Sequence, residues 1–191
     1  MSEDYSVFKD CYSGEDFEVK MVEFLRRMGF KADKTGKNDG GIDIVATKII
    51  DETEYKYYIQ CKYFNTTLGK HPVQEVFAGA NYYEGTAGKE TPVVITNNRI
   101  TREARMYAKR LGVEVIGDGE WKEFRQVIKD GQVLNSNTHH GLFGLFISHI
   151  LKLMGNESAD DYLHDVLEPP APEDIADTEE LIHKTKLGVR G

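Results

Sequence analysis

The sequence predicts an α/β domain, a sheet flanked by helices on both faces, followed by a C-terminal helical appendage. Three observations carry this reading. Apolar residues recur at helical spacing after residues 13, 72, 101 and 120. Short β-rich runs at 42–47, 55–63, 92–96 and 113–116 lie between these segments. Glycines such as Gly29, Gly85 and Gly112 separate the two patterns. The resulting order is helix, two strands, helix, strand, helix, strand, helix, which places helices on both sides of one sheet. A chain of 191 residues has room for one such domain and an extension. We divide it into a domain at 1–130, a helical appendage with a possible dimerisation role at 131–167 and an acidic tail at 168–191.

Residues 1–12 read as a leader. Ser13, with Asp16 three residues on, has the form of a capping box and starts the first helix. Phe17, Met21, Phe24 and Met28 then recur on one face, widened by Val22 and Leu25, and Gly29 ends the helix. Glu18 lies at the border of that face. It either reaches toward the sheet or snorkels to water, with Glu15 one turn earlier as the alternative. Residues 34–41, KTGKNDGG, read as a loop. Its glycines permit close backbone approach, and Lys34, Lys37 and Asn38 suit an anionic ligand; a solvated turn is the other reading.

Pro72 favours a first helical turn, with Val73, Val76, Phe77 and Ala80 inside and His71 and Gln74 near the start. The run 92–96 is apolar enough for a central strand. Thr101 opens a helix with Ala104, Tyr107, Ala108 and Leu111 inside and four basic residues over its remaining surface. Trp121, Phe124 and Val127 mark a closing helix. The segment 141–154 is apolar almost all round, so it is either buried or a subunit contact. His139 and His140 precede it without a cysteine or carboxylate at ligand spacing. Residues 158–167 form a short amphipathic helix, and PPAP at 169–172 is a stiff break.

Composition narrows the class. Two cysteines, Cys11 and Cys61, make no disulfide framework. The first ten residues lack the basic and apolar regions of a secretory signal. The longest apolar run is interrupted by Gly144, Ser148, His149 and Lys152 and is too short for a membrane span. A cytoplasmic protein with no membrane partner is expected. The net charge of −8 is unevenly spread: residues 155–191 hold ten acids against three bases, so the rest of the chain is close to neutral. A generally basic surface is absent.

The richest stretch is 40–62, GGIDIVATKIIDETEYKYYIQCK. Its two β-rich runs flank a polar turn containing Asp51, Glu52 and Glu54. Alternation along a strand puts Ile42, Ile44 and Ala46 on one face and Asp43 on the other. In the second run Tyr57, Ile59, Cys61 and Tyr63 share a face, and Gln60 and Lys62 share the opposite one. Pairing the runs as a hairpin sets Asp43 beside Gln60 and Lys62. A carboxylate, an amide oxygen and an ammonium then meet at one sheet edge, and hard cations take oxygen ligands of this kind.

This arrangement resembles the PD-(D/E)xK nuclease superfamily, and within it the Mrr-type restriction endonuclease catalytic domain. The matching motifs are G-x-x-F-E at 14–18, G-G-I-D at 40–43 and Q-C-K at 60–62. Pro72-Val73, Val94-Ile95-Thr96-Asn97 and Thr101, Ala104 and Ala108 also fit. The resemblance covers roughly residues 12–125 and implies a restriction-endonuclease-like sheet and metal-dependent hydrolysis of DNA phosphodiester bonds. It further implies a metal site for Mg²⁺ or Mn²⁺ formed by Asp43, Gln60, the Cys61 carbonyl and Glu18, with Lys62 as the catalytic lysine. Gln60 stands where most of the superfamily has an acid, so restoring a glutamate there is expected to tighten metal binding. Lys34, Lys37, Asn38, His71 and Gln74 become candidates for DNA contact. A Holliday-junction resolvase and a non-cutting binding member of the fold are the alternatives. No winged helix, zinc motif or other DNA reader is seen in this sequence, so target choice is expected from loops, a separate specificity partner or dimer geometry, and the apolar segment 141–154 motivates a homodimer.

The acidic tail yields a prediction of its own. A segment of this charge repels DNA or covers a basic face, so truncation after Leu167 should strengthen DNA binding at low salt, with the gain shrinking as salt rises. Filter binding across a salt series checks this; unchanged affinity at every salt leaves only a solubilising tail.

Overall fold

In the computed structural model, residues 11–36, 40–83, 89–133 and 139–168 are described. The first helix, α1 (Gly14–Arg27), begins where Ser13 accepts a hydrogen bond from the Asp16 N–H at 3.1 Å. It buries Phe17, Met21, Val22, Phe24 and Leu25, and Gly29 follows with φ +79. The sheet comprises β1 (Lys31–Lys34), β2 (Ile44–Ile50), β3 (Thr53–Lys62), β4 (Lys89–Thr96) and β5 (Glu114–Ile116), in that spatial order. β2 runs antiparallel to both of its neighbours, β1 and β3, and β4 and β5 join β3 in parallel. Between them run α2 (His71–Tyr82) and α3 (Arg102–Leu111); α4 (Asp118–Asp130), α5 (Gly141–Leu153) and α6 (Ala159–Leu167) follow.

The two sheet faces carry separate cores. Ile44, Ala46, Tyr57, Ile59, Cys61, Val93, Ile95 and Ile116 pack with α1, α4, α5 and α6. Tyr58 and Val94, of opposite parity, pack with α2 and α3. The α/β architecture with helices on both faces is therefore as expected, with three departures. First, β1 is an additional strand, so Lys34 lies on the sheet edge and not in a loop. Ala32 is its one buried residue, which leaves no alternation to read; the strand exists because it pairs with β2. Second, the hairpin turn is only Asp51 and Glu52, at φ 48 and 64, and Glu54 belongs to β3. Two consecutive positive φ values are what a tight two-residue hairpin with correctly twisted strands requires. Third, Ile42 precedes β2 and packs with Val73 and Val76 on the α2 side, away from Ile44 and Ala46.

The apolar helix α5 is buried within its own chain. Phe146 is fully buried and meets Phe24 edge-on at a centroid distance of 5.0 Å, with Trp121 and Phe124 around it. This removes the reason for assigning α5 to a subunit contact. His139 and His140 are engaged singly: the first pairs with Glu123 at 2.8 Å, and the second meets the Val166 carbonyl at 3.3 Å. No helix among the described residues is long and apolar enough to cross a membrane. The tail at 168–191 lies outside the described residues, Glu168 excepted.

The start of α5 is fastened to the sheet by Glu114 of β5, whose two carboxylate oxygens accept from the Leu142 and Phe143 N–H groups, both at 2.8 Å. Burial pushes this carboxyl up to about 7 despite those two donors. A carboxyl raised in the folded state contributes most to stability below its ordinary value, and the contribution is lost as pH rises through about 7. Thermal unfolding between pH 5 and 8 should show a decline on the order of 1–3 kcal/mol from this group. Glu114→Gln should lower the melting temperature throughout, since one N–H loses its acceptor, yet flatten the pH slope. An unchanged slope would remove Glu114 as its source.

Candidate active site

The loop entering β2 fixes the first candidate carboxylate. Gly40 and Gly41 have φ of +69 and +88, a region that side-chain-bearing residues rarely adopt. Space is equally short. A Cβ on Gly41 would lie 3.2 Å from the Gln60 amide nitrogen and 3.4 Å from the Glu75 Cβ, and a Cβ on Gly79 of α2 would collide with the Gly40 carbonyl. The paired glycines thus bring the loop against α2 and the end of β3, an approach to protein atoms where the sequence suggested one to a ligand.

Asp43 follows. Its N–H donates to the Ile59 carbonyl at 2.8 Å, although Ile59 is the register partner of Ile44. Two residues thus face one, as in a bulge, which re-aims the side chain and accounts for Ile42 and Ile44 falling on different faces. The Thr35 N–H donates to the Asp43 carbonyl at 3.0 Å. The carboxylate reaches β3, where Asp43 Oδ2 accepts from the Cys61 N–H at 2.6 Å. Asp43 therefore sits at the peptide between Gln60 and Lys62, a charge-assisted contact of the strong kind.

Gln60 and Lys62 share the face of β3 that looks toward α2. Gln60 is 2% exposed. Its amide Nε2 donates to Glu75 Oε2 at 2.9 Å, and among the described residues its Oε1 is buried with no hydrogen-bond partner. Lys62 Nζ lies 3.3 Å from the same Glu75 oxygen, and His71 Nδ1 lies 3.5 Å from Glu75 Oε1. Burial pushes the Glu75 carboxyl up, but the Gln60 hydrogen bond and the Lys62 ammonium outweigh it and leave the group below its ordinary value.

Glu18 of α1 pairs with Lys34 Nζ at 2.9 Å. The hydrogen bond to Glu18 raises the Lys34 ammonium, with smaller support from Glu15 and Asp43. Both side chains are partly exposed, so the pair contributes about 0–1 kcal/mol and rearranges at little cost. Burial pushes the Cys61 thiol well up; Asp43 and Glu18 add to the shift, and Lys34 and Lys62 oppose it. Burial thus keeps this thiol in its neutral form.

Of the sequence candidates, Asp43 reaches the Cys61 N–H of β3, Gln60, Lys62 and His71 are joined through Glu75, and Glu18 and Lys34 pair with each other. Gln74 does not: it is exposed and turns to the Tyr107 hydroxyl of α3 at 3.4 Å. Lys37 and Asn38 lie outside the described residues. Sequence reasoning missed Glu75. The available signal was its position four residues before Gly79 and four after His71, on the helix side closest to the glycine loop. Beside the site, a cleft of about 440 Å³ is lined by Lys62, Phe64, Lys70, His71 and Glu75, among others. Phe64 is 39% exposed at its edge. Its backbone is clamped by Asn97, which accepts from the Phe64 N–H at 2.8 Å and donates to its carbonyl at 2.9 Å.

These donors fit a hard divalent cation. The set consists of oxygens, and the buried, unpartnered Gln60 Oε1 is an acceptor lacking a donor or cation. Among the described residues no three His, Cys, Asp or Glu side chains gather as ligands. A cation here would accordingly depend on the glutamine and on main-chain oxygen as well as on Asp43.

Among solved structures, the chain is similar to a protein of unknown function, AF1548, at 17% identity and a TM-score of 0.42, covering 87% of this chain and 97% of that one. It is also similar to the MspJI restriction endonuclease in complex with a 27-mer oligonucleotide, at 12% identity and a TM-score of 0.40, covering 91% of this chain and 37% of that one. No curated protein matches the sequence significantly. The restriction endonuclease family model Mrr_cat matches residues 10–130, nearly two thirds of the chain and every element from α1 to α4. The chain belongs to the Mrr_cat family of restriction endonucleases.

Proposed function

We propose that the domain is an endonuclease that hydrolyses DNA phosphodiester bonds with a divalent cation, Mg²⁺ or Mn²⁺. The observation that carries this is the buried, unpartnered Gln60 oxygen, on the same strand face as a lysine and one residue from the peptide that Asp43 grips. Asp43 would be the central ligand, with the Gln60 side-chain oxygen and the Cys61 carbonyl beside it and Glu18 supplying a second negative charge. When bound, such a cation polarises the phosphate and makes water a better nucleophile. The chain's own groups do the rest. The Lys62 ammonium opens onto the cleft, where it stabilises the charge that grows on the phosphate oxygens as the water oxygen bonds to phosphorus and the bridging P–O bond breaks. His71 and Lys70 border the same cleft and suit the flanking phosphates, and the exposed Phe64 ring offers a stacking surface for a base.

The family supports DNA as the substrate. Target choice falls to loops around the cleft or to a separate specificity partner. Cutting both strands of a duplex would take two such sites, and a homodimer would have to use a surface other than α5.

Nicking of supercoiled plasmid in Mg²⁺ or Mn²⁺ tests the assignment. Lys62→Ala should lower cleavage by about 10²–10³-fold with DNA binding within a few-fold of the parent, because its contribution is concentrated in the transition state. Asp43→Ala should lose metal binding and cleavage together. Parent-like cleavage by both variants, folded by circular dichroism, would reject the site.

A further inference from the structure

Glu75 touches both proposed active-site side chains of β3, and nothing in the D…QxK pattern assigns it a role. Its geometry is selective. A carboxylate paired with Lys62 has only acceptor lone pairs, so it can face only the NH₂ end of the Gln60 amide. The 2.9 Å contact from Nε2 is that arrangement, and it turns Oε1 the other way, into a buried position without a partner. The opposite amide orientation would set an oxygen against the Glu75 oxygen. A Cβ on Gly41 would stand 3.2 Å from the Gln60 nitrogen, so the glycine leaves the amide the room for this orientation.

We propose that Glu75 is a positioning residue that locks the Gln60 amide with its oxygen presented as a neutral ligand. We further infer that it makes glutamine, and not glutamate, the residue suited to position 60. A glutamate there would bring two carboxylates to hydrogen-bond distance with one lysine between them. The gain in metal binding expected from Gln60→Glu therefore requires relief at Glu75. The proposal deepens the nuclease reading and rests on it for the identity of the ligand, but the Gln60–Glu75 coupling can be measured without any metal.

The experiment is a double-substitution cycle on the full chain, with Mn²⁺ alone as the probe in calorimetry and metal-free melting as a second readout. Glu75→Leu frees the amide to rotate and should weaken Mn²⁺ binding by about 10–100-fold, the range for residues that orient a ligand. Glu75→Gln, whose own amide can meet Gln60 with either its oxygen or its NH₂, should weaken binding by less than Glu75→Leu does. In the Gln60→Glu background, where both oxygens are equivalent, Glu75→Leu should not weaken binding. Equal losses in both backgrounds would show a direct ligand or a merely structural residue and overturn the proposal. Without metal, Gln60→Glu should melt below the parent, and adding Glu75→Gln should restore the difference. A Gln60→Glu protein that melts like the parent overturns it too. If the parent binds no Mn²⁺, the nuclease reading of the site falls, and the metal-free cycle alone decides the coupling.

Discussion

The register of β2 against β3 is the constraint on which the site depends. Side chains alternate along a strand, so a slip of one residue would exchange Gln60 and Lys62 with Ile59 and Cys61 across the sheet. The core would then receive an amide and an ammonium, and the α2 face would lose its polar pair. Two devices hold the register. At one end the two-residue turn at Asp51 and Glu52 admits a single pairing of Ile50 with Thr53. At the other, the bulge at Asp43 ends regular pairing and spends the carboxylate on the Cys61 N–H. The candidate ligand Asp43 is thus also the pin that closes the ladder.

Such a pin needs room on the α2 side, and that room is made of missing side chains. Gly40 and Gly41 carry backbone angles that suit few other residues, and Gly79 lets the helix backbone meet the Gly40 carbonyl. Close approach of α2 is what brings Glu75 over Gln60 and Lys62. The exit of β3 is tied down just as firmly: Asn97 clamps the Phe64 backbone, and Leu68 exchanges backbone hydrogen bonds with Arg99 and Thr101. The cleft wall is therefore tied to the neighbouring strand end at both Phe64 and Leu68.

What the sequence made legible follows from the same physics. The stripe of Phe17, Met21, Phe24 and Met28 and the alternation of Tyr57, Ile59 and Cys61 against Gln60 and Lys62 are periodic signals backed by burial, and both appear as read. The strand β1 was not legible, because KADK offers one buried residue and owes its conformation to its neighbour. Ile42 was placed on the wrong face, because alternation fails at a bulge and a bulge is set by tertiary contacts. Glu75 escaped notice because it is a polar residue on a helix whose apolar stripe is complete without it. Its significance lies in what faces it across the fold, which no local pattern carries. The four basic residues of α3 show the converse. Their spacing suggested a charged face, yet Arg105 is committed to Glu120 through two hydrogen bonds at 2.7 and 3.0 Å.

The electrostatics explain why a neutral glutamine belongs in this site. Glu18 is matched by Lys34 and Glu75 by Lys62, and the Asp43 carboxylate is met by a backbone N–H. Each of these negative charges already has a donor, so none of the three carboxylates stands naked. A fourth carboxylate at position 60 would enter the most buried of these positions, where a charge is hardest to desolvate and where Lys62 is already engaged. Glutamine supplies an oxygen of the kind a hard cation accepts without that cost, provided something decides which end of the amide points inward. A carboxylate held by a lysine is well suited to decide it, because it rejects the oxygen as strongly as it attracts the nitrogen. On this view the D…QxK pattern of this chain is a four-residue arrangement in which Glu75 compensates on α2 for the charge that β3 does not carry.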